Sequence, residues 1–147
     1  MNNLSKNVKI TVVSPAAVAG TTQIDSSVLD MTGFDGVMFI ALTGDVTSGS
    51  VLTLTVKGNT ANSTSSPAPV TQKATAAVTA GATDSDSMAL MVDVDKLTMR
   101  YVFASLTRTT QNAVIGGIIA IQYRGTYMPT TQDVSVIASA FGLGVSS

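Results

Sequence analysis

The chain is built from short runs of β-branched and apolar residues, closed off by clusters of Gly, Ser, Thr, Asn and Asp. This punctuation constrains the fold more than any other feature. A helix needs an apolar stripe with a period near 3.6 residues over ten or more positions, and no segment offers a convincing one. Residues 51–57 alternate instead, with Leu52, Leu54 and Val56 on one face and Thr53, Thr55 and Lys57 on the other. Such alternation marks a half-buried strand, and threonine suits the exposed face because its branched Cβ fits the pleat. Residues 88–95 alternate too. Met88, Leu90, Val92 and Val94 are expected to face a core, and Asp93 and Asp95 to face out.

Two segments are apolar on both faces. In residues 36–43, Val37, Phe39 and Ala41 point one way while Met38, Ile40 and Leu42 point the other. That strand is expected to be buried between two layers. Residues 114–123 form the longest apolar strand, and Gly116 and Gly117 within it predict a bulge or a close backbone approach. Strands are also expected over residues 8–13 and 100–107, the latter with Tyr101 and Phe103 on one face, and weaker ones over 23–30 and 73–79. Residues 58–69 and 81–87 read as loops. The pattern predicts an all-β fold of about eight strands, a β-sandwich or barrel.

One domain is expected. Its body covers residues 8–129, with extended arms at residues 1–7 and 130–147. The last arm is apolar and Gly-punctuated, and is expected to dock on the body or on a neighbouring copy. Lys6 and Lys9 ahead of residues 10–13, with Ala17-Val18-Ala19 beyond, imitate a signal peptide. The apolar run is too short and is broken by Ser14 and Pro15, so none is expected. No segment approaches the ~20 apolar residues of a membrane span.

Composition narrows the function classes. The chain has no histidine and no cysteine. It therefore lacks the usual acid–base group near neutral pH, the most nucleophilic side chain and most zinc ligands. Charged residues make up 12% against 45% hydrophobic, with a net charge of −1. No basic field is present to attract nucleic acid. A surface this poor in charge favours a protein that lives in an assembly. The expectation is a non-enzyme with no cofactor and no metal.

The remaining motifs are weak. Asp93 and Asp95, two residues apart on one strand face, could serve as paired carboxylates or hold a hard cation, but exposed strand faces carry charges routinely. Asp84 and Asp86 lack the glycine and downstream glutamate of a calcium loop. Asn62-Ser63-Thr64 fits a glycosylation pattern that arises by chance. The serines at 63, 65 and 66 have no base to activate them. Aromatic and methionine residues anchor interfaces, and the candidate contact residues are Met91, Met99, Tyr123, Tyr127, Met128 and Phe141.

Three stretches together resemble a known family. They are Met31-Thr32-Gly33-Phe34-Asp35-Gly36-Val37-Met38-Phe39-Ile40, then Met91-Val92-Asp93-Val94 leading through Lys96 to Arg100-Tyr101-Val102, then Asn112-Ala113-Val114-Ile115-Gly116-Gly117-Ile118-Ile119-Ala120-Ile121-Gln122-Tyr123. They are similar to the head decoration, or cement, proteins of tailed bacteriophages, of jelly-roll type. The likeness runs over about residues 8–129 and lies in texture and order, without an active-site motif. It implies a protein on the outer face of an icosahedral capsid, made in the host cytoplasm, which clamps neighbouring major capsid subunits and forms homo-oligomers. It transfers no catalytic or binding residue by position. An adhesive or receptor-binding β module of a phage tail, fibre or pilus-like assembly is the alternative. A carboxylate-based hydrolase would need two carboxylates converging in a cleft at roughly 5–10 Å.

Overall fold

A computed structural model describes residues 4–65, 67, 75–82, 85–126 and 131–140. Among these residues one helical turn, α1 (Leu4–Asn7), precedes ten strands. These are β1 (Lys9–Ser14), β2 (Ala17–Gly20), β3 (Ile24–Asp25), β4 (Leu29–Asp30), β5 (Phe34–Val46), β6 (Val51–Asn59), β7 (Thr75–Thr79), β8 (Ala89–Val94), β9 (Tyr101–Thr109) and β10 (Ala113–Gly125). They form two antiparallel sheets. The first has the order β1-β10-β5-β8, with β2 continuing the β1 side along β10; the second has the order β3-β9-β6-β7, with β4 also on β9.

The order follows from one long folded hairpin. β1 pairs with β10, β3 and β4 with β9, β5 with β8, and β6 with β7. Rolling that hairpin brings β10 against β5 and β9 against β6. The result is a jelly-roll β-sandwich with eight strand positions. The inward row of each strand builds the core. Val37, Phe39 and Ala41 of β5, Leu90, Val92 and Val94 of β8, and Ile115, Ile118 and Ala120 of β10 belong to one cluster with Leu52, Leu54 and Val56 of β6 and Val102, Ala104 and Leu106 of β9.

Several expectations need correction. β5 is covered on one face only: Met38 and Ile40 are half-buried and Leu42 is exposed. Met88 is 55% exposed rather than facing the core. The chain turns at Ser87, which has φ of 53°, and the ladder begins only at the Ala89–Leu42 pair. Met88 bonds through its backbone instead: its N–H donates to Thr43 Oγ1 (2.8 Å) and its carbonyl accepts from Thr43 N–H (2.8 Å). Ala17-Val18-Ala19, which imitates a cleavage site, lies in β2 on the β10 ladder. The 23–30 segment splits into β3 and β4 around Ser26, whose hydroxyl accepts from Ala104 N–H.

The bulge expected at Gly116 and Gly117 is present. The β10–β5 register shifts between Ile115 and Gly117. Gly117 has φ of 131°, and a Cβ there would lie 3.1 Å from the Ser14 carbonyl oxygen. Only glycine combines that backbone with that approach.

Two polar devices close the edges. Residues 131–140 run beside the outer edge of β1. Gln132 Oε1 accepts from Ile10 N–H (2.6 Å), Ser135 Oγ accepts from Val12 N–H (2.9 Å), and Gln132 Nε2 donates to the carbonyls of Ser5 (3.0 Å) and Val8 (2.7 Å). At the opposite end of the core, buried Arg108 donates to the carbonyls of Thr22 (2.9 Å), Val18 (2.8 Å) and Ala113 (2.7 Å). That guanidinium ties β2 and the chain after it to the β9–β10 hairpin.

Candidate functional site

The two outer faces of the sandwich differ in chemistry, and the difference follows from strand register. On β6 and β9 the outward row is Thr53, Thr55, Lys57, Ser105 and Thr107. Thr53, Thr55, Lys57 and Thr107 are half-buried there, and Ser105 is buried. On the first sheet, the ladder aligns outward residues into apolar rows. Val12, Ile119, Ile40 and Met91 form one row across β1, β10, β5 and β8. Ile10, Ile121 and Met38 form the next, which ends in Asp93. Leu42 and Ala89 lie above them. Val12 and Leu42 are each 46% exposed and Met91 58%, while the central residues are half-buried between their neighbours.

One border of this face is polar, and both of its carboxylates are hydrogen-bonded. The Tyr123 ring lies over Gly36, where an added Cβ would fall 2.4 Å from Cζ. Its hydroxyl donates to Asp93 Oδ1 (2.5 Å). Partial burial first, then the Asp93 bond and the charges of Asp93 and Asp95, push the Tyr123 phenol above its ordinary value. Arg124 Nη1 donates to Asp95 Oδ2 (2.6 Å). Each aspartate of the sequence-predicted pair is thus held by its own partner. Asp86 accepts from Val46 N–H (2.8 Å), and Asp84 lies outside the described residues. Among the described residues, no three Asp, Glu, His or Cys side chains gather as a metal site, and no helix is long and apolar enough to cross a membrane.

Of the six candidate contact residues, two share this face. Met91 sits in its first row on β8, and Tyr123 closes its border on β10. Met99 is half-buried in the connection before β9. Tyr127, Met128 and Phe141 lie outside the described residues. Tyr101 and Phe103 share the outer side of the second sheet, opposite Asn59 and Lys57. Val12, Ile40, Leu42 and Ile119 were not singled out from the sequence. Their signal was present, because a strand apolar on both faces is either covered twice or leaves one face for a partner.

The face spans three inter-strand gaps of about 4.8 Å and roughly 20 Å along β5, or about 300 Å². A standard interface uses about 800 Å² per partner.

No family model matches the chain, and no curated protein sequence matches it. Solved structures similar to it include a chain from "Structure of infectious bursal disease virus Gt strain" (11% identity, 83% of this chain, TM-score 0.44). The present chain spans about a third of that one (33%). Others are a CBM22-1 xylan-binding domain of Paenibacillus barcinonensis Xyn10C (14% identity, 80% of this chain and 83% of that one, TM-score 0.40) and Eiger TNF from S. frugiperda (4% identity, 86% and 99%, TM-score 0.39). None of these three is a phage decoration protein.

Proposed function

We propose that this chain is a structural virion protein that decorates the outer face of a tailed-phage capsid and clamps neighbouring major capsid subunits. The observation that carries the reading is the outer face of the first sheet, where Val12, Ile119, Ile40 and Met91 make an uncharged row across four strands. A face of about 300 Å² matches the largest apolar patch of a typical monomer, which is often functional, and so supports an interaction site. The low charge of the chain and the three stretches similar to decoration proteins support the same reading.

The mechanism is mechanical. One face of about 300 Å² gives a weak contact. Several contacts made by one assembly multiply through effective concentration, which suits attachment to a repeating shell. The proposal includes no catalysis, cofactor, metal, nucleic acid or membrane, and places the protein on the capsid exterior.

The test mixes the protein with empty shells assembled from a candidate major capsid protein and measures co-sedimentation. Ile40→Lys is expected to lower the affinity at least tenfold, about 1.4 kcal/mol. Thr53→Lys, on the outer face of the second sheet, is expected to leave it unchanged. Full binding by Ile40→Lys would overturn the assignment of the face.

A further inference from the structure

Among the described residues, β8 ends the first sheet and β7 ends the second, on the side of the sandwich away from β1. Among the described residues β8 pairs only with β5 and β7 only with β6, so both strands present an unpaired backbone edge. Between them lies a groove of about 280 Å³, walled by Ala76 and Val78 of β7 and by Leu90 and Met91 of β8, with Met88 and Thr43 at one end. An apolar cavity of about 150 Å³ takes one benzene ring, so this groove has room for about two large apolar side chains. An apolar groove flanked by free strand edges is suited to an added extended peptide, whose backbone completes a ladder while alternate side chains fill the cavity.

The chain carries such a peptide. Gln132 and Ser135 fix residues 131–140 to the edge of β1, the far side of the first sheet from β8. In that segment Val134 is 94% exposed and Ile137 97%, and residues 138–140 are exposed as well. The sequence that follows is Phe141-Gly142-Leu143-Gly144-Val145. Its apolar residues alternate with glycine and share their parity with Ile137. As a strand it would have one apolar face and one bare face.

We propose that the C-terminal tail, residues 137–145, of one copy occupies the β7–β8 groove of a second copy as an added strand. The anchor before the tail and the groove sit on opposite sides of the sandwich, so in this proposal each copy gives a tail to one neighbour and receives one from another. That contact is heterologous, and it builds a ring where the rotation closes and a filament where it does not. The inference concerns copies in solution and does not rest on the capsid reading.

The absence of cysteine makes the test direct. Full-length Val78→Cys and Leu143→Cys variants are mixed at about 10 μM under mild oxidation. Non-reducing gels are expected to show a mixed disulfide dimer. A tail held in the groove raises the local thiol concentration toward the millimolar range, about 100-fold above bulk. A Thr53→Cys partner in place of Val78→Cys is expected to give at least tenfold less dimer. Equal dimer with Thr53→Cys would overturn the proposal. So would a double Val78→Cys, Leu143→Cys variant that closes within one chain and stays monomeric, since the tail would then fill its own groove. Circular dichroism of each variant excludes misfolding as the cause. Shells are absent throughout, so failure here and failure of the capsid reading are separate results.

Discussion

Arg108→Ala is expected to remove a tie that the packing of apolar side chains does not replace. Arg108 is 5% exposed, in core-facing register at the end of β9, opposite Leu52. Its guanidinium donates to one fully buried carbonyl, Ala113, and to two partly buried ones, Val18 and Thr22. Stranding the Ala113 carbonyl costs about 1–3 kcal/mol, and loosening the other two about 0.5–1 kcal/mol each because water reaches them. The lost stem packing adds to this. The total comes to about 3 kcal/mol, a large part of the 5–15 kcal/mol that holds an ordinary domain together. With a urea m-value of about 2 kcal/mol/M, the midpoint falls by about 1.5 M. Arg108→Lys keeps the charge, yet one ammonium lacks the planar fork that spans three carbonyls, so a similar loss is expected. Hydrogen exchange is expected to quicken first in β2. A loss below about 1 kcal/mol with unchanged protection of residues 17–20 would refute the reasoning, since the three bonds would then be worth no more than surface contacts.

Other outcomes follow from the same geometry. Gly117→Ala is expected to destabilise by about 1–3 kcal/mol, because alanine at φ of 131° is strained and its Cβ meets the Ser14 carbonyl; a thermal melt checks it. Asp30 is held well below the usual carboxylate range, first by its bond from Arg100 and then by those from Thr32. A depressed folded-state value contributes stability above the unfolded pKa of about 3.9 that is lost as pH falls through the folded value. The fall in Tm below about pH 4 should therefore be shallower in Asp30→Asn. Tyr123 has the opposite sign. Its raised value contributes stability below the unfolded pKa of about 10 that is lost as pH rises, so Tyr123→Phe should flatten the alkaline loss of Tm.

Side-chain alternation made most of the strands legible. Leu52, Leu54 and Val56 against Thr53, Thr55 and Lys57 gave β6 its inner and outer faces before any partner was known. Alternation also placed Met91 on an outward row. Where both faces of a strand are apolar, the pattern is silent on which is covered. Ile40 and Phe39 are equivalent by sequence, and only the second sheet, packed on one side, separates them. The stacking of Tyr123 over Gly36 joins residues far apart in the chain, and no local signal marks it.

The sequence by itself determined that this chain forms strands, where most of them lie, and that Gly116 and Gly117 interrupt the last. These are consequences of backbone sterics and a period of two, which act between near neighbours. Tertiary structure alone decided the jelly-roll strand order, the retention of a charged Arg108 in a core-facing position, the turn that sends Met88 outward, and the alignment of Val12, Ile119, Ile40 and Met91 into one exposed row. Each of those depends on pairing between distant segments. Pairing is selected by burial and hydrogen bonding summed over the whole fold, so it is not written in any single stretch.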